Sequence, residues 1–221
     1  MSKFASLCVL SYKRPEMLRT CIESIIRNTT FPYELIVSSD GNDDPNNLIY
    51  LYRMFKEKRI SKLIINNGGN RGVGKSFANC ASVADGDYIC KIDADLTFQP
   101  GWLEAGVKVI DRDLVGAISF FNYRHYDPND TRFEVITATE DHCIVNDFVS
   151  SIYLFKRNKL AIAGWDKDDG FHLNLRPLAI TAEDYVTNTG FGVTKSVYVS
   201  GTEDHPYKTP VYNKPLIFNE K

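Results

Sequence analysis

Long apolar runs are missing from this 221-residue sequence. No stretch approaches the roughly 20 consecutive apolar positions that cross a bilayer, so no integral membrane segment is expected. Cysteine is scarce and carries no motif. Cys8, Cys21, Cys80, Cys90 and Cys143 are odd in number, show no CxxC spacing and sit among apolar neighbours. This predicts buried free thiols in a reducing, cytoplasmic setting and lends nothing to a zinc site. Neither sign of charge dominates: 26 basic against 28 acidic residues leave a formal net charge of −2. That argues against a strongly basic nucleic-acid binder, while a local basic groove stays open. Repeats, linkers and low-complexity segments are lacking, and Met1-Ser2-Lys3-Phe4 runs into a strand-like segment without the layout of a signal peptide.

What is present is an ordinary globular composition, 43% hydrophobic and 24% charged, sized for one large domain. Phe4 to Ser11 is a short apolar run, and Pro15 then opens a helical pattern. Met17, Leu18, Cys21, Ile22, Ile25 and Ile26 recur at spacings of three and four, which builds one apolar stripe. Glu34 to Ser39 reads as a second strand, ended by the turn-rich Asp40-Gly41-Asn42-Asp43-Asp44-Pro45. Leu48, Leu51, Tyr52 and Phe55 mark a second helix. Lys62 to Asn66 reads as a third strand, Lys75 to Ala84 as a third helix and Tyr88 to Ile92 as a fourth strand. Strands alternating with helices imply an α/β fold with a mostly parallel sheet flanked by helices. Ligands bind beyond the carboxyl ends of such strands. The polar residues there are Tyr12, Arg14, Asp40, Asn70, Arg71, Asp93 and Asp95.

The rhythm changes near Val115. Gly116 to Tyr123, Phe133 to Thr139 and Phe148 to Lys156 read as strands that extend or cross the first sheet. A loop rich in charge and glycine follows from Gly164 to Pro177. A helix is expected to begin near Thr181 and a last strand to cover Ser196 to Ser200, before a polar, proline-punctuated tail.

Asp93-Ala94-Asp95 follows the fourth strand directly. Two carboxylates one residue apart can converge on one Mg²⁺ or Mn²⁺, hard cations that bind through one or two carboxylates plus substrate phosphates. The same spacing also occurs in polar strand-end turns. Gly69 to Ser76 satisfies G-x-x-x-x-G-K-[ST] between a strand and a helix, which would place Lys75 on a phosphate. This pattern, however, comes only after two complete strand–helix units.

Taken in order, SYKRP, SSDGNDD, NRGVGKSFAN and KIDAD resemble the inverting glycosyltransferases of family 2, with the GT-A fold. Asn70, Gly72 and Asn79 resemble that family's NxGxxxAxN template. The likeness covers residues 4 to 105 well and 150 to 190 more loosely. It implies one GT-A-like domain with a nucleotide-sugar-binding half, residues 1–112, and an acceptor-binding half, 113–221. Asp40 would then read the nucleotide base, and the Tyr12 region would line the base pocket. The donor set becomes Tyr12, Arg14, Asp40, Asn70, Arg71, Gly72, Lys75, Asp93 and Ala94, with Asp93 and Asp95 on the metal. The acidic pair usual after strand two reads Ser39-Asp40 here; uracil remains the expected base, and a UDP-sugar the expected donor.

The acceptor side follows the same resemblance. Glu183-Asp184 is similar to the acidic pair whose Asp serves as general base, though Thr181-Ala-Glu-Asp184 also fits a helix-capping box. Trp165 and Asp166 look like the segment that lines the acceptor site; a core Trp is the alternative. His205 is a candidate third metal ligand or a plain surface His. The implied activity is metal-dependent glycosyl transfer with inversion. The acceptor is a glycan or another hydroxyl-bearing molecule, a modified nucleic acid included. The alternatives are a P-loop NTPase or kinase built on Gly69 to Ser76, and a nucleotide-sugar-binding domain without catalysis.

Overall fold

The computed structural model describes residues 2–40, 44–66, 70–112, 115–120, 134–147, 151–163, 174–183, 185–188 and 216–219. Its first half follows the expected alternation: β1 Ala5–Tyr12, α1 Pro15–Asn28, β2 Tyr33–Asp40, α2 Pro45–Lys56, β3 Lys62–Asn66, α3 Val73–Ser82 and β4 Tyr88–Asp93. Proline at the start of α1 and α2 fixes φ where no intrahelical N–H bond is lost. The Asp44 side chain caps α2 by accepting the Asn46 N–H at 2.9 Å. The α1 stripe turns Leu18, Cys21, Ile22 and Ile25 inward, with Met17 and Ile26 at its margins. On α2 the buried face is Tyr50, Leu51, Met54 and Phe55, and Tyr52 points outward, half exposed.

Among the described residues, all strands join one ten-stranded sheet except two short ones, β5 Leu96–Phe98 and β11 Val186–Asn188, which pair antiparallel with each other. β3, β2, β1 and β4 form a parallel block. The later strands extend that block rather than cross it. β9 Ile152–Lys156 runs antiparallel beside β4, followed by β6 Ala117–Ser119, β10 Leu178–Thr181, β8 His142–Val145 and the edge strand β7 Val135–Ala138. β12 Leu216–Asn219 closes the other edge on β3. A fourth helix, α4 Trp102–Ile110, and the short α5 Leu160–Ala163 complete the described elements.

Alternation along the strands divides the core in two. Ala5, Leu7 and Val9 pack with α1, α2 and α4, whereas Cys8 and Leu10 pack under α3. All five cysteines are free and buried, as their apolar neighbours predict, and burial pushes the Cys8, Cys21 and Cys90 thiols up.

One expectation fails. No helix starts at Thr181 among the described residues. Leu178, Ala179, Ile180 and Thr181 are buried as a strand between β6 and β8, and the chain is extended again from Val186. The Thr181 hydroxyl donates to the Glu183 carbonyl at 2.8 Å. Two rows of strand partners outweigh a four-residue capping pattern that has no helix to cap. The strand expected at Ser196 to Ser200 and most of the loop from Gly164 lie outside the described residues.

Candidate active site

Period-two alternation places Tyr12, Asp40 and Asp93 on the α3 side of the sheet, at the carboxyl ends of β1, β2 and β4. The register confirms it, pairing Tyr12 with Asp40 and Leu10 with Asp93. This is where strand order reverses, between β1 and β4, the usual crevice of an open α/β sheet. A cavity of about 310 Å³ opens there. Tyr12, Arg14, Asp40, Asn70, Gly72, Asp93, Ala94 and Asp95 line it, together with Ser11, Ser76 and Ser151.

The turn before α3 aims the chain at Asp40. The Gly72 N–H donates to Asn70 Oδ1 at 2.8 Å, and Gly72 takes φ +82°, where a side chain would be strained. Asp40 Oδ2 then accepts the Arg71 N–H at 2.6 Å and the Ser76 hydroxyl at 3.0 Å. Burial pushes the Asp40 carboxyl above its ordinary range, and these two donors oppose that rise. Its other oxygen, Oδ1, is buried and has no hydrogen-bond partner among the described residues. A buried acceptor left open at a cavity wall suits a ligand N–H. Arg71 bonds Asp40 through its backbone N–H, and its positive charge also opposes the rise. Lys75 is exposed on α3 and does not line the cavity. Ser76, which a phosphate loop would offer to Mg²⁺, is engaged by Asp40 instead.

Both carboxylates of Asp93-Ala94-Asp95 carry cations from the protein. Lys91 Nζ lies 2.6 Å from Asp93 Oδ1, its side chain only 2% exposed. Arg14 Nη1 lies 3.1 Å from Asp95 Oδ2, and this pair is partly exposed. Lys13 and Arg14 both adopt positive φ, 47° and 119°, a backbone that non-glycine residues keep only where surroundings impose it. The donor set fits a Mg²⁺ or Mn²⁺ ion in its chemistry: two hard carboxylates at one corner, with coordination left for phosphate oxygens. No group of three or more potential ligands gathers among the described residues.

A family model for glycosyl transferase family 2 matches residues 6–177. The chain belongs to glycosyl transferase family 2. Glycosyltransferase GlyG of Streptococcus pneumoniae serotype 4 is 29% identical over 147 residues, 65% of this chain and 47% of that protein. The chain thus spans less than half the length of that relative. Among solved structures, GalNAc-T7 with UDP, GalNAc and Mn²⁺ superposes at a TM-score of 0.66 with 12% identity, over 84% of this chain and 43% of that one. S. aureus TarS 1–349 in complex with UDP-GlcNAc superposes at 0.62 with 16% identity, over 84% and 58%. The fold is of the GT-A type.

Of the residues expected on the acceptor side, only some lie among those described. Trp165, Asp166, Asp184 and His205 lie outside the described residues. Glu183 is exposed and borders a second cavity, about 670 Å³, with Glu104, Lys108, Arg112, Asp141 and Tyr185. β11 pairs with β5, so the segment just after Asp184 is anchored beside the strand that leaves Asp95. Lys91 and Ser151 escaped the sequence reading. Lys91 had a signal, a lysine within the apolar run YICKI. Ser151, whose carbonyl accepts the Asp93 N–H at 2.9 Å, had none. No helix among the described residues is long and apolar enough to cross a membrane.

Proposed function

We propose that this chain transfers a sugar from a nucleotide-diphosphate donor, a UDP-sugar, to an acceptor hydroxyl with inversion at the anomeric carbon. The observation that carries this is the convergence of Asp40, from the end of β2, and of Asp93 and Asp95, from the end of β4, on one cavity, with Asp40 Oδ1 left open. Asp40 would accept an N–H from the base, and Tyr12 would wall the pocket. Arg14 supplies positive charge for the diphosphate. Asp93 and Asp95 would hold the divalent cation, with His205 as the third protein ligand. When bound, Mn²⁺ or Mg²⁺ neutralises the leaving diphosphate as a Lewis acid. A GT-A neighbour bound to UDP and Mn²⁺ and another bound to UDP-GlcNAc support this choice of donor and ion.

Asp184 takes the proton from the acceptor hydroxyl as its oxygen attacks the anomeric carbon. The bond to the diphosphate breaks on the opposite face, giving UDP and the inverted glycoside. No helix starts at Thr181 among the described residues, which supports the base assignment, because the competing role of Asp184 needed a helix to cap. Glu183 is the neighbouring acid, and Trp165 and Asp166 would line the acceptor. A glycan or another hydroxyl-bearing molecule, including a modified nucleic acid, fits a scaffold whose acceptor loops vary freely.

The test is a thermal-shift panel of nucleotide sugars with and without Mn²⁺, since a ligand that binds only the native state raises its melting temperature. A UDP-sugar is expected to stabilise the chain, and more with the cation. Stabilisation by ATP alone would contradict the proposal.

A further inference from the structure

The two cations at the Asp93–Asp95 corner are held differently. Lys91 is a fully buried strand residue of β4, and its ammonium is paired with Asp93. A buried lysine without its carboxylate would be strongly disfavoured, so this pair stays together. Arg14 belongs to the turn after β1. Its side chain is 27% exposed against 12% for Asp95, and its guanidinium reaches Asp95 from the cavity wall. The positive φ at Lys13 and Arg14 holds that turn over the cavity.

We propose that Arg14 is the exchangeable counter-ion of the donor site: it occupies Asp95 when the cavity is empty, and moves to the donor's diphosphate when a divalent cation takes that carboxylate. This rests on the donor-site reading above. Lys91, by contrast, remains on Asp93 throughout. Two facing carboxylates without a counter-charge repel each other and also repel a diphosphate. Arg14 removes that repulsion before the cation arrives. A guanidinium then presents a planar pair of N–H donors suited to phosphate oxygens, which an ammonium lacks. Mn²⁺ and donor are therefore coupled through one side chain: alone, the cation competes with Arg14, and together they share the site with it.

The experiment measures Mn²⁺ binding without nucleotide, by water-proton relaxation, and UDP binding at saturating Mn²⁺, by calorimetry. Wild type, Arg14→Gln and Arg14→Lys are compared, with melting curves for each. Arg14→Gln is expected to bind Mn²⁺ about two- to fivefold more tightly, the scale of a partly exposed ion pair. It is expected to bind UDP about tenfold more weakly, the scale of one charge-assisted hydrogen bond. Arg14→Lys keeps a cation on Asp95 and is expected to retain wild-type Mn²⁺ affinity while losing UDP affinity. Movement of both affinities in opposite directions is the signature, since a structural defect would weaken both. Equal Mn²⁺ affinity in wild type and Arg14→Gln would overturn the exchange and leave the donor site standing. If neither protein binds Mn²⁺ or UDP, the exchange and the donor-site reading fall together.

Discussion

Between Ala5 and Asp93 the four strands of the sheet run parallel to one another, and a helix of ten or more residues separates each strand from the next. Beyond Val115 the same sheet continues with strands of three to five residues, mostly antiparallel, and no described helix exceeds four residues. The difference is chemical as well as geometric. Parallel pairing demands a long crossover, and long crossovers carry periodic apolar stripes. Antiparallel neighbours need only turns. In the proposed function the first region is the floor for the donor, and the second adds the face on which acceptors are expected.

The comparison breaks most sharply at Asp184. Asp184→Asn is expected to lower single-turnover rate by about 10² to 10⁴, the worth of a positioned base. Donor affinity and melting temperature should stay near wild type, because the change belongs to the second region alone. A loss of stability with rate intact would remove the assignment, and Glu183→Gln under the same assay shows whether the neighbouring acid is the base instead.

Next in size is the joint between the regions. Trp102 on α4 is fully buried, with its indole N–H donating to Thr29 Oγ1 at 2.9 Å and its ring 4.5 Å and 5.0 Å from those of Phe98 and Phe120. Trp102→Ala is expected to cost about 3–5 kcal/mol in denaturant unfolding, as for other buried aromatics. A loss under 1 kcal/mol, on the order of a surface substitution, would mean the two regions are packed independently.

The smallest effect concerns a staple that ties the end of α4 to the second region. Asp141 pairs with both Nη atoms of Arg112 at 2.8 Å and with Lys108 and His142. The Arg112 guanidinium, ahead of the other partners, holds its carboxyl well below the usual carboxylate range. A depressed folded-state pKa contributes stability above the unfolded value, about 3.9, and that contribution fades as pH falls through the folded value. Wild type should thus lose stability below about pH 4. Asp141→Asn should cost about 1 kcal/mol at pH 7, its cationic partners Arg112 and Lys108 being largely exposed, and flatten that acid limb. Parallel acid limbs in thermal melts of the two proteins would contradict this.

How much the sequence discloses follows the same division. The stripe from Leu18 to Ile25 and the apolar runs of β1 to β4 were legible, because each repeats a period over a whole element. Asp40, Asn70 and Asp93 were legible because they punctuate strand ends. α4 was missed although Trp102, Leu103, Gly106, Val107 and Ile110 carry a helical spacing, since it spans only nine residues and opens at Gly101 without a side-chain cap. β10 was mistaken for a helix start because Thr-Ala-Glu-Asp satisfies a local pattern, whereas its structure is fixed by β6 and β8, distant in sequence. β12 hid in a polar tail for the same reason: four residues become a strand only against β3.

The central claim is that the donor's base is read by Asp40 at the β1–β2 strand ends, with no part for the glycine-rich pattern's lysine. Calorimetric titration of UDP in Mn²⁺ into wild type, Asp40→Asn and Lys75→Ala tests it most directly. In Asp40→Asn, the Arg71 N–H and Ser76 hydroxyl require the amide oxygen, which turns the amide NH₂ toward the base. UDP affinity should fall by about tenfold or more, the scale of a buried donor left facing a donor. Lys75→Ala should bind within about twofold of wild type, as expected for an exposed side chain away from the cavity. Loss of UDP binding in Lys75→Ala, with Asp40→Asn unchanged, would contradict the account.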